Sequence, residues 1–150
     1  MMNYHDGFKL PDELRLLKET VRNFIEKEVI PLEEEMDPDE FELPEDKLNA
    51  LREKAKSAGL WALGVPKEYG GANLSLFAQT IVAEEASGHR WGAYQPALGA
   101  FGNEPPPVLY KGTKDQIDRY VIPTVEGKKK GFFAITEPGG GSDPARTIRT

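Results

Sequence analysis

Apolar positions recur along this chain at helical spacing in three separate stretches. Leu14, Leu17, Val21, Ile25 and Val29 follow one another at three- and four-residue steps, which puts them on one face of a helix. Pro11 suits the first helical position, and Asp12 and Glu13 fall in the turn where the macrodipole favours acids. The spacing predicts a helix over 11–30 that ends at Pro31, because proline cannot donate to the preceding turn. Pro44 opens a second helix with Leu48, Leu51, Ala55 and Ala58 on one face and Gly59 at the position just beyond its end. Ser75 is placed to cap a third, carrying Leu76, Gln79, Val82 and Ala86 and stopping at Gly88. Between the second and third, the apolar run Leu60-Trp61-Ala62-Leu63-Gly64-Val65 is closed by Pro66 and reads as a segment threaded through the core, with Trp61 as packing. Tyr69-Gly70-Gly71 then turns the chain.

The apolar faces near 11–30, 44–58 and 76–87 have nowhere to go except one another. The expected fold is therefore mainly α, an up-and-down, mostly antiparallel helical bundle with Leu14, Val21, Leu51, Leu63 and Ile81 buried. Further on, Thr113 and Gln116 have the spacing of a capping box and lead Ile117, Tyr120 and Val121 into a short helix that Pro123 ends. Glu33-Glu34-Glu35 and the acidic tract to Glu45 read as an exposed, solvated connection. Lys128-Lys129-Lys130 reads as a solvated turn, with contact to a phosphate or to an acidic partner face as its other use.

Two stretches break the helical rhythm. From His89 to Pro107 aromatic and long apolar residues are interleaved with Gly92, Pro96, Gly99 and Gly102, so an isolated helix there is poor on propensity and needs tertiary packing. In the second, Phe132-Phe133-Ala134-Ile135 is a short apolar run of the kind a buried strand shows, cut off by Thr136-Glu137-Pro138 and three glycines. A plain strand followed by a glycine-rich turn is one reading. The other is a ligand loop, since glycines leave backbone N–H groups uncovered and Thr136 and Ser142 add hydroxyls. No lysine follows the glycines, which excludes the phosphate loop of nucleotide triphosphatases.

Composition narrows the partners. The chain has 150 residues, 39% hydrophobic and 29% charged, enough for one core with no surplus for a second. It contains no cysteine, which removes disulfides and cysteine-based metal or nucleophile chemistry, and two histidines make a histidine-rich metal site a poor fit. The opening ten residues hold no apolar signal region and no run is long enough to span a membrane, so a cytoplasmic protein is expected. The net charge of −6 speaks against nucleic acid.

The run Ala134-Ile135-Thr136-Glu137-Pro138-Gly139-Gly140-Gly141-Ser142-Asp143 resembles the signature of the acyl-CoA dehydrogenases, with Gly140 where that family usually has alanine. The order of amphipathic helix, acidic link, helix, Gly-Leu-Trp segment, Tyr-Gly-Gly turn and Ser-capped helix is similar to the family's N-terminal helical domain. The resemblance therefore covers nearly the whole chain. It implies a helical domain over residues 1–130 and the start of a β-barrel domain over 131–150. It further implies that Phe133, Ile135, Thr136, Gly141 and Ser142 line FAD, with Thr136 near the isoalloxazine ring and Ser142 near both the diphosphate and the thioester. A helix is implied across 89–107 with Gln95, Gly99 and Asn103 on the face that walls the acyl chain. Pro105-Pro106-Pro107 departs from the family's usual single proline.

What the resemblance implies about activity is oxidation of an acyl-CoA thioester to the trans-2-enoyl-CoA, by α-proton abstraction and β-hydride transfer to flavin. An electron-transfer flavoprotein or oxygen is the implied acceptor, and a homodimer or homotetramer the implied assembly. The family's catalytic base is a glutamate of a C-terminal helical domain, so no catalytic residue is expected before Thr150 and the chain alone is expected to be inactive. A reading of another class is a helical interaction module that has kept the fold and lost flavin binding. Because this chain carries only part of the implied FAD contacts, it is not expected to offset the ~4–15 kcal/mol cost of association. Titration of FAD followed by flavin fluorescence checks this: a submicromolar complex with the 150-residue chain contradicts the expectation.

Overall fold

The first helix, α1 (Asp12–Phe24), starts after Pro11 with Asp12 and Glu13 in its first turn and buries Val21 and Phe24. It does not end where proline was expected to stop it. A π turn over Ile25–Val29 follows without a break and leads into α2 (Ile30–Glu34), which contains Pro31. In an α-helix the ring of Pro31 clashes with the carbonyl four residues back and deletes one hydrogen bond. Here the Ile30 N–H reaches back five residues to the Ile25 carbonyl. The wider turn, placed one residue before the proline, absorbs the defect and lets the helix run on. Pro123 is handled in the same way. A π turn over Ile117–Val121 ends with the Ile122 N–H on the Ile117 carbonyl, and α6 (Ile122–Val125) continues through the proline. The computed structural model from which these elements are taken describes residues 10–40, 42–132, 134–139 and 143–147.

The middle of the chain follows the hydrophobic pattern. Helix α3 (Glu45–Ser57) buries Leu48, Leu51, Arg52 and Ala55, and Gly59 beyond it takes the left-handed φ of 72° that ends helices. The α4 helix (Leu76–Ala86) is capped by Ser75, whose hydroxyl accepts from the Ala78 N–H at 3.2 Å. It lies against α1, and the seam is tied by Arg22, whose Nε and Nη2 donate to the two carboxylate oxygens of Glu85 at 2.8 and 2.9 Å. Lys18 adds a second cation at 3.3 Å. Arg22 above all, with Lys18, holds the Glu85 carboxyl below its ordinary range against the opposing effect of burial.

Val21, Phe24, Ile25, Val29, Leu48, Leu51, Leu60, Leu63, Val82 and Leu98 belong to one core. Val21, Leu51, Leu63 and Ile81 are buried as the pattern required, while Leu14 is only partly buried on the first turn of α1. Leu60–Val65 crosses the interior as expected, and Ala62 and Val65 form a smaller core with Val121 and Val125. Trp61 joins the two sides by donating from Nε1 to the Val125 carbonyl at 2.9 Å. Gly71 is required where the Tyr-Gly-Gly turn doubles back, since a Cβ there would lie 2.1 Å from the Val65 carbonyl oxygen. The capping box at Thr113 and Gln116 forms in full and starts α5 (Lys114–Gln116), which runs into the second π turn.

The architecture is thus mainly helical. The expected helix across 89–107 is absent: this stretch consists of turns and two short 3-10 segments, Pro96–Gly99 and Pro107–Lys111. Its glycines and prolines lack the propensity to hold a long helix. No strand forms among the described residues. Phe132, Ala134 and Ile135 lie in irregular chain, Phe133 is outside the described residues, and α7 (Pro144–Thr147) is a single turn. Leu51 is 1% exposed and Leu16 65%, which separates their expected costs. Leu51→Ala is expected to lower unfolding stability by about 2–5 kcal/mol. Leu16→Ala should stay within about 0.5 kcal/mol, read from urea midpoints.

Candidate functional site

The site is built around a carboxylate that the charge pattern hides. Glu33 was expected in a solvated acidic link, yet it is 4% exposed. The π turn adds a residue to the helix ahead of it, which rotates α2 and aims this member of the Glu33-Glu34-Glu35 run inward. One carboxylate oxygen accepts from the Arg90 N–H at 2.9 Å; the other accepts from the Trp91 N–H at 2.7 Å and faces His89 Nδ1 at 3.1 Å. Burial alone would push this carboxyl up, but the hydrogen bonds from His89 and from the Trp91 and Arg90 amides outweigh it and hold the group below its ordinary range. An ionised carboxylate only accepts, so His89 Nδ1 carries the proton in this contact. The guanidinium of Arg90 donates in turn to the Glu33 carbonyl at 3.3 Å.

From this anchor the chain runs through residues 91–104 as the wall of two cavities. Ala97, Leu98 and Gly99 take consecutive positive φ values of 50°, 52° and 77°, a left-handed turn that costs roughly 1–2 kcal/mol at each non-glycine position. Ala97 and Leu98 are buried at 0% and 1% exposure, so the core holds the turn in place. Its outer members are Gln95 and Gly99. Together with Leu63, Val82, Ala86 and Phe101 they line an apolar cavity of about 420 Å³ against α4. On the side facing α3 the same two residues line a second cavity, again about 420 Å³, with Asn103, Arg52, Leu48 and Lys130. Glu104 lies beside the first cavity and accepts from the Gly64 N–H at 2.7 Å. Tyr110, stacked on Tyr69 at 5.2 Å, has its hydroxyl pushed above its ordinary range by burial and by the Glu104 charge.

Gln95, Gly99 and Asn103 are therefore brought together around one cavity, although not on the helix face that the resemblance implied. Ile135 and Thr136 lie in exposed irregular chain, where Phe132 is 90% and Ile135 38% exposed. Phe133, Gly141 and Ser142 fall outside the described residues. The lysine run is exposed; Lys129 donates to the Arg119 carbonyl and Lys128 pairs with Glu126 at 2.8 Å. Sequence reasoning missed Glu33 and Arg52. The first had a signal in Ile-Pro after a five-residue segment, repeated at Ile122-Pro123; the second had one in its place on the apolar face of α3, between Leu51 and Ala55. Among the described residues no group of three or more acidic or histidine side chains is arranged to hold a metal ion, and no helix is long and apolar enough to cross a membrane.

Residues 11–128 match the family model described as acyl-CoA dehydrogenase, N-terminal domain. The short-chain specific mitochondrial acyl-CoA dehydrogenase of Sus scrofa is 35% identical over 144 residues, covering 95% of this chain and 33% of that protein. An acryloyl-CoA reductase (NADH) of Anaerotignum propionicum is 33% identical, covering 95% of this chain and 34% of that one. A chain in a solved structure described as the electron transferring flavoprotein of Acidaminococcus fermentans superposes with a TM-score of 0.68 at 26% identity, over 93% of this chain and 36% of that one. The chain spans about a third of the length of the relatives it matches.

The Glu33 contacts set a pH dependence. A carboxyl whose folded-state value is depressed contributes stability above its unfolded value near 4.3, and that contribution is lost as pH falls through the lower folded value. Glu33→Gln turns one acceptor oxygen into an NH₂ facing backbone donors. At pH 7 it is expected to cost about 1–3 kcal/mol. Urea unfolding at a series of pH values should show the gap from wild type narrowing below about pH 4.3; a gap that stays constant down to pH 2 contradicts the assignment.

Proposed function

Because the chain belongs to the acyl-CoA dehydrogenase family, we propose that it supplies the acyl-binding wall and part of the flavin cradle of an FAD-dependent oxidoreductase. The substrate is an acyl-CoA thioester, and the bond that changes is the one between its α and β carbons. The observation that carries this reading is the apolar cavity against α4, where Gln95 and Gly99 meet Leu63, Val82, Ala86 and Phe101. An aliphatic chain fits such a lining, since each CH₂ removed from water contributes about 0.8 kcal/mol. Gly99 leaves the wall open, and Gln95 provides one amide to orient a polar group.

The segment after Gly131 fits FAD in its chemistry. Phe132 and Ile135 present apolar surface to solvent, and Thr136 beside them is an exposed residue carrying a hydroxyl. That combination suits a flat ring with polar edges. Thr136 and Ser142 would hold the cofactor with Phe133, Ile135 and Gly141 around it, and Ser142 would also touch the thioester. When bound, FAD supplies hydride exchange with the β carbon. This chain's own residues bind the acyl group, exclude water from it and orient it. The direction we read is oxidation to the trans-2-enoyl-CoA, with an electron-transfer flavoprotein or oxygen as acceptor and a homodimer or homotetramer as the assembly.

The test is calorimetric titration of butyryl-CoA into the chain. Saturable binding is expected. Gly99→Val should weaken it about tenfold or more, because a branched side chain fills the cavity and also strains a backbone held at φ 77°. A Cβ at Gly99 already comes within 3.2 Å of the Gln95 amide nitrogen. Circular dichroism separates loss of the cavity from loss of the fold. Absence of saturable thioester binding by the wild-type chain overturns the reading.

A further inference from the structure

The second cavity, between α3 and the 95–103 loop, is unlike an alkyl pocket. Arg52 lines it at 9% exposure, on the helix face that otherwise carries Leu48, Leu51 and Ala55. Its Nη1 makes one long contact, 3.4 Å to Asn49 Oδ1. Its Nε is buried with no hydrogen-bond partner among the described residues, and the amide nitrogen of Asn103, lining the same cavity, is likewise buried and unpartnered. Among the described residues Arg52 is paired with no carboxylate. A buried guanidinium without a counter-charge is costly, and a group that completes it recovers that cost. Two residues that border one space each keep an unpartnered donor, one of them cationic, and this favours an acceptor with negative charge.

We propose that this cavity receives a terminal carboxylate on the acyl group, so that the preferred substrates are the CoA monothioesters of dicarboxylic acids. The inference rests on the acyl-CoA reading above and names the substrate class within it. Gln95 and Gly99 line both cavities; in the proposed pose the acyl chain lies along the apolar one and turns past these two residues to put its far end beside Arg52 and Asn103. Charges around the space set its capacity. Lys130 adds a second cation, while Glu42 and Glu45 also line it. Lys130, Glu42 and Glu45 are exposed and screened by solvent, whereas Arg52 is buried and screened least. One carboxylate is therefore favoured, and the two glutamates disfavour a group of higher charge such as a phosphate. A methyl end gains nothing from Arg52 and leaves its Nε unpaired.

The experiment measures dissociation constants for matched pairs on the same chain: succinyl-, glutaryl-, adipoyl- and suberoyl-CoA against butyryl-, valeryl-, hexanoyl- and octanoyl-CoA. At least one carboxyl-ended thioester is expected to bind about ten- to a hundredfold tighter than its methyl-ended partner, the range of a charged hydrogen bond. Arg52→Gln should abolish that preference. Arg52→Lys, which keeps the charge and loses the fork, should retain part of it. If methyl-ended thioesters bind and no carboxyl-ended one binds more tightly, the carboxylate assignment falls and the acyl-CoA reading stands. If neither series binds, the acyl-CoA reading itself falls, and this inference with it. The wild-type comparison needs no variant, so a folding defect in Arg52→Gln leaves the test decisive.

Discussion

One buried carboxylate fixes the start of the irregular stretch that follows α4. Glu33 ties the end of the first helical run to His89, Arg90 and Trp91, 56 to 58 residues later in the chain. The amides of Arg90 and Trp91 open a stretch with little regular structure, and buried amides need partners. A neutral acceptor could satisfy them one at a time. An ionised carboxylate satisfies both and the imidazole together, with the stronger bonds that charge brings. The wall made by residues 91–104 thus begins from a fixed point and does not depend on its own weak propensity.

The reach of Glu33 depends on a helix defect. An α-helix turns about 100° per residue, so one additional residue inside a π turn changes which side chain of the acidic run faces the core. Pro31 makes the defect tolerable and the defect makes Pro31 tolerable; each alone would cost the helix hydrogen bonds. The chain uses the device twice, as Ile-Glu-Lys-Glu-Val-Ile-Pro and as Ile-Asp-Arg-Tyr-Val-Ile-Pro. At the second site the π turn buries Val121 and the continued helix buries Val125, beside the carbonyl that receives Trp61. Both the cavity wall and the smaller core therefore rest on helices that continue through proline.

This explains what could be read from residues alone. Burial of Val21, Leu51, Leu63 and Ile81, the Ser75 cap, the Thr113 capping box and the stop at Gly59 follow from local periodicity and hydrogen-bond chemistry, and they appear as read. Pro31 and Pro123 read as stops in the sequence because the rule for an α-helix has no place for an inserted residue. Glu33 reads as solvated in the sequence because a run of like charges carries no mark of which member turns inward. Gln95, Gly99 and Asn103 do converge, but through a left-handed turn at 97–99 that no spacing rule describes.

That turn also bears on how one chain can hold both an apolar and a polar cavity. Ala97 and Leu98 are small or medium side chains buried completely, and their burial offsets the backbone cost of left-handed geometry. The reversal places Gln95 and Gly99 where both cavities meet the loop, so one short stretch borders the space against α4 and the space facing α3. A regular helix in the same place would set residues 95, 99 and 103 along one stripe facing one neighbour. The irregular path gives the loop two faces, and the residues of α3 opposite the second face decide what can lie there. With Leu48 alone that space would be apolar; with Arg52 beside it, the space has a charge to satisfy. The charge at this end comes from α3, a helix whose pattern reads as ordinary core.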